Sequence, residues 1–231
     1  MVHQTSGQLD FVDSLVGTKK NLNQQLDKIN RLVDWKPLEA SLGRIYSSPS
    51  GRPSYPLLVL FKCLLLQAWY NQSDYALEET LDDRLSFRRF VGLSVSGKVP
   101  DHSTFCRFRN QLIQHGVFES LFNELNHQLD KRGLFIKKGT LVDATVIEAA
   151  PKKPNKNEDG TGGKSPQDVD ADWTKKGGRY LFGYKAHLGV DQESELIRKI
   201  AMTPAHVHDG EMLGSVVCGD EEWAFADKAY D

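Results

Sequence analysis

Two aspartates standing in short apolar runs are the residues of this sequence best suited to chemistry. Asp143 interrupts Gly139-Thr140-Leu141-Val142-Asp143-Ala144-Thr145-Val146-Ile147-Glu148, whose β-branched and apolar residues read as a buried central strand. Asp227 closes a second run, Trp223-Ala224-Phe225-Ala226. A buried carboxylate is costly unless something pairs with it. Two strands that each deliver an Asp to one place would make a site for Mg²⁺, a hard ion held by one or two carboxylates together with substrate phosphates. In phosphoryl transfer such ions activate the attacking oxygen and stabilise the leaving one. The plain alternative for Asp143 is a strand-end acid capping a turn, which its place inside the run argues against. Asp227 by itself is as well read as a surface turn acid, and gains a metal role only with Asp143 as its neighbour.

Other polar residues could surround such a site. Lys176, Arg179 and Lys185 are placed to meet phosphates, although solvated lysines are common. His206-Val207-His208-Asp209 resembles a ligand cluster, but an H-x-H pair in a loop more often caps a helix or stays solvated. Asp209 suits the N-cap of a helix starting near Glu211. Glu148 and Asp191 read as strand-end charges. Cys63, Cys106 and Cys218 are odd in number and lack CxxC spacing, so reduced thiols and no zinc site are expected.

Positioning falls to two differently patterned halves. The chain has 231 residues, 39% of them hydrophobic, enough for packed cores, and its net charge of -2 excludes nothing about nucleic acid. Residues 1–133 carry helical periodicity. One amphipathic helix is expected from Asn21 to Trp35, a loop from Ser47 to Pro56, and a core helix over the apolar run Leu57 to Tyr70. That run holds Lys62 and Gln67 and is shorter than the roughly 20 residues that span a bilayer, and residues 1–13 lack the pattern of a signal peptide. No membrane association is expected. A continuous pattern runs from Asp74 to Val91. After the loop Gly92 to Pro100, Asp101 and Ser103 offer N-caps for the next helix, and a last one spans Val117 to Lys131. The helix bearing Ser103, Thr104, Arg107, Arg109 and Asn110 follows another by a short connection, as in a helix-turn-helix that meets DNA. A solvated basic face on an ordinary bundle would carry the same pattern.

From 134 to 231 the period changes to that of strands. Strands are expected at 139–148, 180–191 and 196–202, a short helix at 211–217 and a last strand at 223–226. Between the first two, residues 151–178 are so rich in Lys, Pro, Gly and Asp that a mobile loop is expected, with Trp173 its one large apolar residue. The fold class is therefore α+β: a helical domain followed by strand, strand, strand, helix, strand. That is the order of the ribonuclease-H-like fold, in which the first and fourth strands are neighbours, about 4.8 Å apart.

The pieces Val142-Asp143-Ala144-Thr145, Trp173 with Lys175-Lys176, Gly183-Tyr184-Lys185-Ala186-His187, Thr203-Pro204-Ala205 with His208-Asp209, and Ala226-Asp227-Lys228-Ala229-Tyr230-Asp231 are ordered motifs. With Ser86-Phe87-Arg88-Arg89-Phe90-Val91-Gly92-Leu93 and Pro100-Asp101-His102-Ser103-Thr104-Phe105-Cys106-Arg107-Phe108-Arg109, the chain resembles the DDE transposases of bacterial insertion sequences, the insertion sequence 5 group in particular. The resemblance implies a cytoplasmic, nucleoid-associated protein that binds the terminal inverted repeats of its element in double-stranded DNA. It would cut and rejoin strands with Mg²⁺ or Mn²⁺, using water or a 3′-hydroxyl as nucleophile. Asp143 would be the first catalytic and metal-binding acid and Asp227 the second, since in the family's motif that acid precedes a small residue and a Tyr, here Ala229 and Tyr230. Ser103, Thr104, Arg107, Arg109, Lys176 and Lys185 would contact DNA.

The family's third acid, a Glu on a later helix, has no counterpart here. The catalytic domain is therefore expected to be incomplete and deficient alone, as a truncated enzyme that acts as a homodimer or with a complementing C-terminal polypeptide, or as a non-catalytic DNA-binding remnant that represses the intact transposase.

Overall fold

The structure is a computed structural model that describes residues 24–45, 55–149 and 168–230. The chain divides into two compact units between Gln128 and Leu129.

The first unit is helical. Helix α1 (Gln24–Leu32) lies within the one expected from Asn21 to Trp35, and a further helix, α2 (Trp35–Leu42), follows where none was expected. Between them Asp34 is extended, with φ -81° and ψ 107°, and its carboxylate accepts from the Lys36 amide at 3.1 Å, so a new helix starts there. Pro37 suits that first turn, where no amide hydrogen is needed. Helix α3 (Leu57–Trp69) follows Pro56 and is the core helix its composition implies, with Leu60, Cys63 and Leu66 buried. Helix α4 (Asp74–Asp83) is capped by Ser73, which accepts from the Ala76 amide at 3.1 Å.

The pattern expected to run unbroken from Asp74 to Val91 breaks at Arg84, whose backbone is extended (φ -104°, ψ 106°), and α5 (Leu85–Val91) begins after it. The buried Arg88 explains the break. Its guanidinium donates to the Leu81 carbonyl at the end of α4 (2.8 Å) and to the carbonyls of Ser94 (2.9 Å), Val95 (3.1 Å) and Gly97 (2.8 Å) in the following loop. One side chain thus satisfies carbonyls that a helix end and a loop would otherwise leave unpaired. Helix α6 (His102–Gln114) packs on α4 and α3 through Phe105, Phe108 and Leu112, and α7 (Val117–Lys131) adds Val117 and Leu121 to the same core.

The second unit is a mixed sheet: β1 (Gly139–Glu148), β2 (Asp172–Lys176), β3 (Arg179–Asp191), β4 (Ile197–Pro204) and β5 (Trp223–Ala226). A 3₁₀ turn, Asp209–Met212, leads into α8 (Leu213–Val216) between β4 and β5, and a second, Lys228–Tyr230, follows β5. The expected strands are there, with one more. Of the loop expected at 151–178, residues 151–167 lie outside the described residues, but Asp172–Lys176 is strand and pairs antiparallel with Arg179–Gly183. Trp173 has a reason to order it, since its ring packs on Phe182 with centroids 5.3 Å apart.

Strand β3 pairs antiparallel with both β1 and β4, and β1 pairs in parallel with β5. Asp191, expected as a strand-end charge, is fully buried. It accepts from the amides of Ile136 (3.1 Å) and Lys137 (2.8 Å) ahead of β1 and from the amide and hydroxyl of Ser194, both at 2.9 Å. Burial alone would raise its pKa, but these donors outweigh burial and hold it below the ordinary carboxylate value.

The expectation of a buried strand holds for one face of β1 only. Val142 and Ala144 are buried against Val216 and Tyr230, while Leu141, Asp143, Thr145 and Ile147 are exposed. The cause is that α8 covers one face only. Its approach is close: a Cβ on Gly189 would stand 2.0 Å from the Val216 carbonyl oxygen. On the other face Ile200, Met202, Trp223 and Phe225 are exposed as well, so a broad apolar surface surrounds Asp143 among the described residues.

Candidate functional site

Asp143 is held on β1 by its pairing with Leu188 of β3 on one side and by β5 on the other. The parallel register runs Leu141 to Phe225 and Val142 to Ala226. The ladder stops there: Asp143 follows Val142 within β1, and Asp227 is the first residue after β5. Adjacent strands lie about 4.8 Å apart, and the two acids, both exposed, each follow a residue of the last ladder pair.

Each carboxylate is pinned locally. One Asp143 oxygen accepts from the Ala144 amide at 2.7 Å, and one Asp227 oxygen accepts from the Ala229 amide at 3.0 Å. Neither forms an ion pair with any described residue. Two exposed carboxylates that follow paired residues of β1 and β5 are oxygen donors of the kind that suits Mg²⁺ or Mn²⁺.

Behind the pair, on the covered side of β1, lies Tyr230. It is buried, and its hydroxyl has no hydrogen-bond partner among the described residues. Burial, then the charges of Asp209, Asp143 and Asp227, push its pKa up to about 12. Three carboxylates therefore act on one phenol. Asp209 does not cap the helix as expected; His208 does, its Nδ1 accepting from the Gly210 amide at 3.2 Å. Asp209 instead pairs with Lys185, whose ammonium lies 2.8 Å from its oxygen and 2.8 Å from the Val207 carbonyl. Lys185 and Asp143 are on opposite faces of the sheet, because Lys185 is three residues from Leu188, the cross-strand partner of Asp143. Lys176, at the end of β2, is exposed.

The H-x-H motif does not converge on one point: His206 Nδ1 lies 3.1 Å from Asp172, while His208 turns to its cap. Among the described residues one trio, Cys218, Asp220 and Glu221, has ligand atoms within 4.8 Å of one another. Its charges are already met. Asp220 pairs with Lys137 at 3.0 Å and with Arg198, and Glu221 accepts from the amides of Cys218 (2.9 Å) and Asp220 (3.0 Å).

In the helical unit the four residues expected to meet DNA separate into two groups. Asp101 caps α6 through the Thr104 amide (2.6 Å), the Ser103 hydroxyl donates to it at 2.8 Å, and Arg107 donates to Ser103 (3.2 Å) and Thr104 (3.3 Å). Arg107 is 72% exposed. Arg109 turns inward and donates to Asp74 at 2.5 Å and to Gln67 at 2.9 Å, tying α6 to α4 and α3. Burial alone would raise the Asp74 carboxyl, but the bonds from Arg109 and Gln67 and the Arg109 charge bring it below its ordinary value.

Sequence reasoning found the strands β1 and β5, of which the first bears Asp143 and the second precedes Asp227. It missed Asp209 as the partner of Lys185, and Tyr230 as a buried group; alternation along β3, with Lys185 and His187 on one side, was the signal available for the first.

The class of protein now follows from comparison with known families. Residues 15–111 match the family described as a transposase domain, DUF772, and residues 135–231 match the transposase DDE domain. The helical and the sheet-bearing halves thus carry one transposase domain each, and together they support a DDE transposase, a protein of DNA transposition. No solved structure matches the chain. Among the described residues no helix is long and apolar enough to cross a membrane.

Proposed function

We propose that this chain binds the inverted-repeat ends of a transposable element of the insertion sequence 5 type and carries two carboxylates of the site that cleaves and transfers DNA strands. The observation that supports the reading is the parallel register of β1 with β5, whose last pair, Val142 and Ala226, immediately precedes Asp143 and Asp227. The sheet, with its first and last strands adjacent, is read as ribonuclease-H-like.

Asp143 and Asp227 are the residues that would hold Mg²⁺ or Mn²⁺. Such an ion, when bound, polarises the scissile phosphate and lowers the pKa of an attacking water or 3′-hydroxyl. The chain's own part is to present the two carboxylates from the neighbouring strands β1 and β5. In the helical unit Ser103, Thr104 and Arg107 meet the DNA backbone from the N-terminal turn of α6, where amides and the exposed guanidinium favour phosphate. Lys176 adds a solvated positive charge beside the sheet.

The test is cleavage of end-containing DNA. With Mg²⁺, or with Mn²⁺, Asp143→Asn and Asp227→Asn each abolish cutting while end binding stays at the parent level. Cutting that survives Asp143→Asn removes the acid from the site.

A second reading is favoured by the open apolar face around Asp143. On that reading the protein is a DNA-binding module that competes with an intact transposase. Salt-sensitive end binding with no cleavage at all, unaltered by Asp143→Asn, is the outcome that selects this reading.

A further inference from the structure

Lys185 reaches away from the exposed face that carries the acids, and its ammonium is largely withdrawn from solvent, its side chain 13% exposed and that of Asp209 20%. The pair stitches the loop after β4 to the central strand β3. That loop then starts the 3₁₀ turn Asp209–Met212, and at Gly210 it lies against the turn that follows Asp227. A Cβ on Gly210 would meet the Tyr230 carbonyl oxygen at 3.5 Å and that of Ala229 at 3.6 Å. The second turn fixes Asp227 directly, since the Tyr230 amide donates to the Asp227 carbonyl at 3.1 Å and the Ala229 amide to its carboxylate at 3.0 Å. Tyr230 anchors the far end of this turn by burying its ring beside Val142 and Ala144, the residues flanking Asp143.

We infer that the Lys185–Asp209 pair is a positioning device for the acid pair: through the two packed 3₁₀ turns it sets where the Asp227 carboxylate stands relative to Asp143. The inference rests on the reading of Asp143 and Asp227 as a divalent-cation site. It gives Lys185 a role other than phosphate contact, because two of its three donors are taken by Asp209 and the Val207 carbonyl on the covered side of the sheet.

The experiment is titration of the whole chain with Mn²⁺, without DNA, read by the electron paramagnetic resonance of the free ion, with circular dichroism to establish folding. Groups that orient metal ligands from behind typically contribute 10- to 100-fold in metal affinity. Lys185→Met and Asp209→Asn are each expected to weaken Mn²⁺ binding about 10-fold. The double variant is expected to be no worse than either single one, because both remove the same pair. Lys185→Arg keeps the charge and the donors and is expected to recover most of the affinity. If Lys185→Met does not fold, Asp209→Glu carries the same expectation, since it keeps the charge but moves the turn.

Wild-type Mn²⁺ affinity in folded Lys185→Met or Asp209→Glu, with binding lost in Asp143→Asn, overturns the positioning role and leaves the cation site standing. Mn²⁺ affinity unchanged in Lys185→Met but DNA affinity reduced, with a salt slope lower by about 1, returns Lys185 to phosphate contact and overturns the inference too. Mn²⁺ binding that ignores Asp143→Asn removes the cation site and the inference with it.

Discussion

Arg107 and Arg109 sit two residues apart on α6, yet the structure gives them different work. Arg107 lies along the helix surface over Ser103 and Thr104, while Arg109 bridges Asp74 and Gln67 on two other helices. Arg107→Ala is therefore expected to lower DNA affinity uniformly across sequences, to reduce the salt slope by about 1, and to leave thermal stability unchanged. Arg109→Ala is expected to cost about 1 to 2 kcal/mol of stability, because it leaves Asp74 without its charged donor. Equal losses of DNA affinity with no loss of stability in both variants would show that this division is mistaken. Asp101 supports the same helix from its start. Hydrogen bonds from Ser103 and Thr104 bring its pKa from 3.8 to about 2. The folded state thus binds the proton less readily than the unfolded chain does, so the stabilisation is fully present above pH 3.8 and disappears as pH falls toward 2. Asp101→Ala is expected to cost about 1 kcal/mol at neutral pH and nothing near pH 2. Urea unfolding at the two pH values checks this, and a cost that persists in acid would count against it.

At the scale of elements, local chemistry decided what periodicity could not. The apolar spacing from Asp74 to Val91 is continuous, and the break at Arg84 depends on Arg88 reaching carbonyls in the loop after α5, which no spacing displays. The Asp101 cap and the hairpin of β3 and β4 were legible because capping and turn residues act within a few positions of themselves. The adjacency of the two runs was legible from the ribonuclease-H-like strand order, in which the first and fourth expected strands are neighbours, as β1 and β5 are. Which face the acids occupy was not legible, because Leu141 and Ile147 look as buried in sequence as Val142 does, and coverage is a tertiary fact. Gly189 exposes that fact to experiment. Its missing side chain lets the Val216 carbonyl approach β3, and a methyl group 2.0 Å from that oxygen forces α8 outward. Overpacking of this kind costs typically 1 to 3 kcal/mol. Gly189→Ala is expected to lower the unfolding midpoint accordingly, and an unchanged midpoint would mean that α8 moves off the sheet freely.

Over the whole molecule, stability is divided. The helical unit has its own core, with Leu42, Leu66, Leu77, Leu81, Phe105 and Leu112 fully buried, and the sheet unit has a much smaller one around Val142, Ala144, Val216 and Tyr230. Small cores with an open apolar face contribute little net stability, so the sheet unit is expected to unfold first and the helical unit later, in two transitions rather than one. A cation held by Asp143 and Asp227 binds only the folded sheet unit. At a concentration 100 times its Kd it adds about 2.7 kcal/mol to that unit and none to the other. Scanning calorimetry with and without Mn²⁺ is therefore expected to raise the first transition and leave the second where it was. Asp143→Asn should abolish the rise while keeping both transitions. A single transition that moves as a whole with Mn²⁺ would mean that the two units fold as one body. An upward shift confined to the second transition would put the cation site in the helical unit, away from both aspartates.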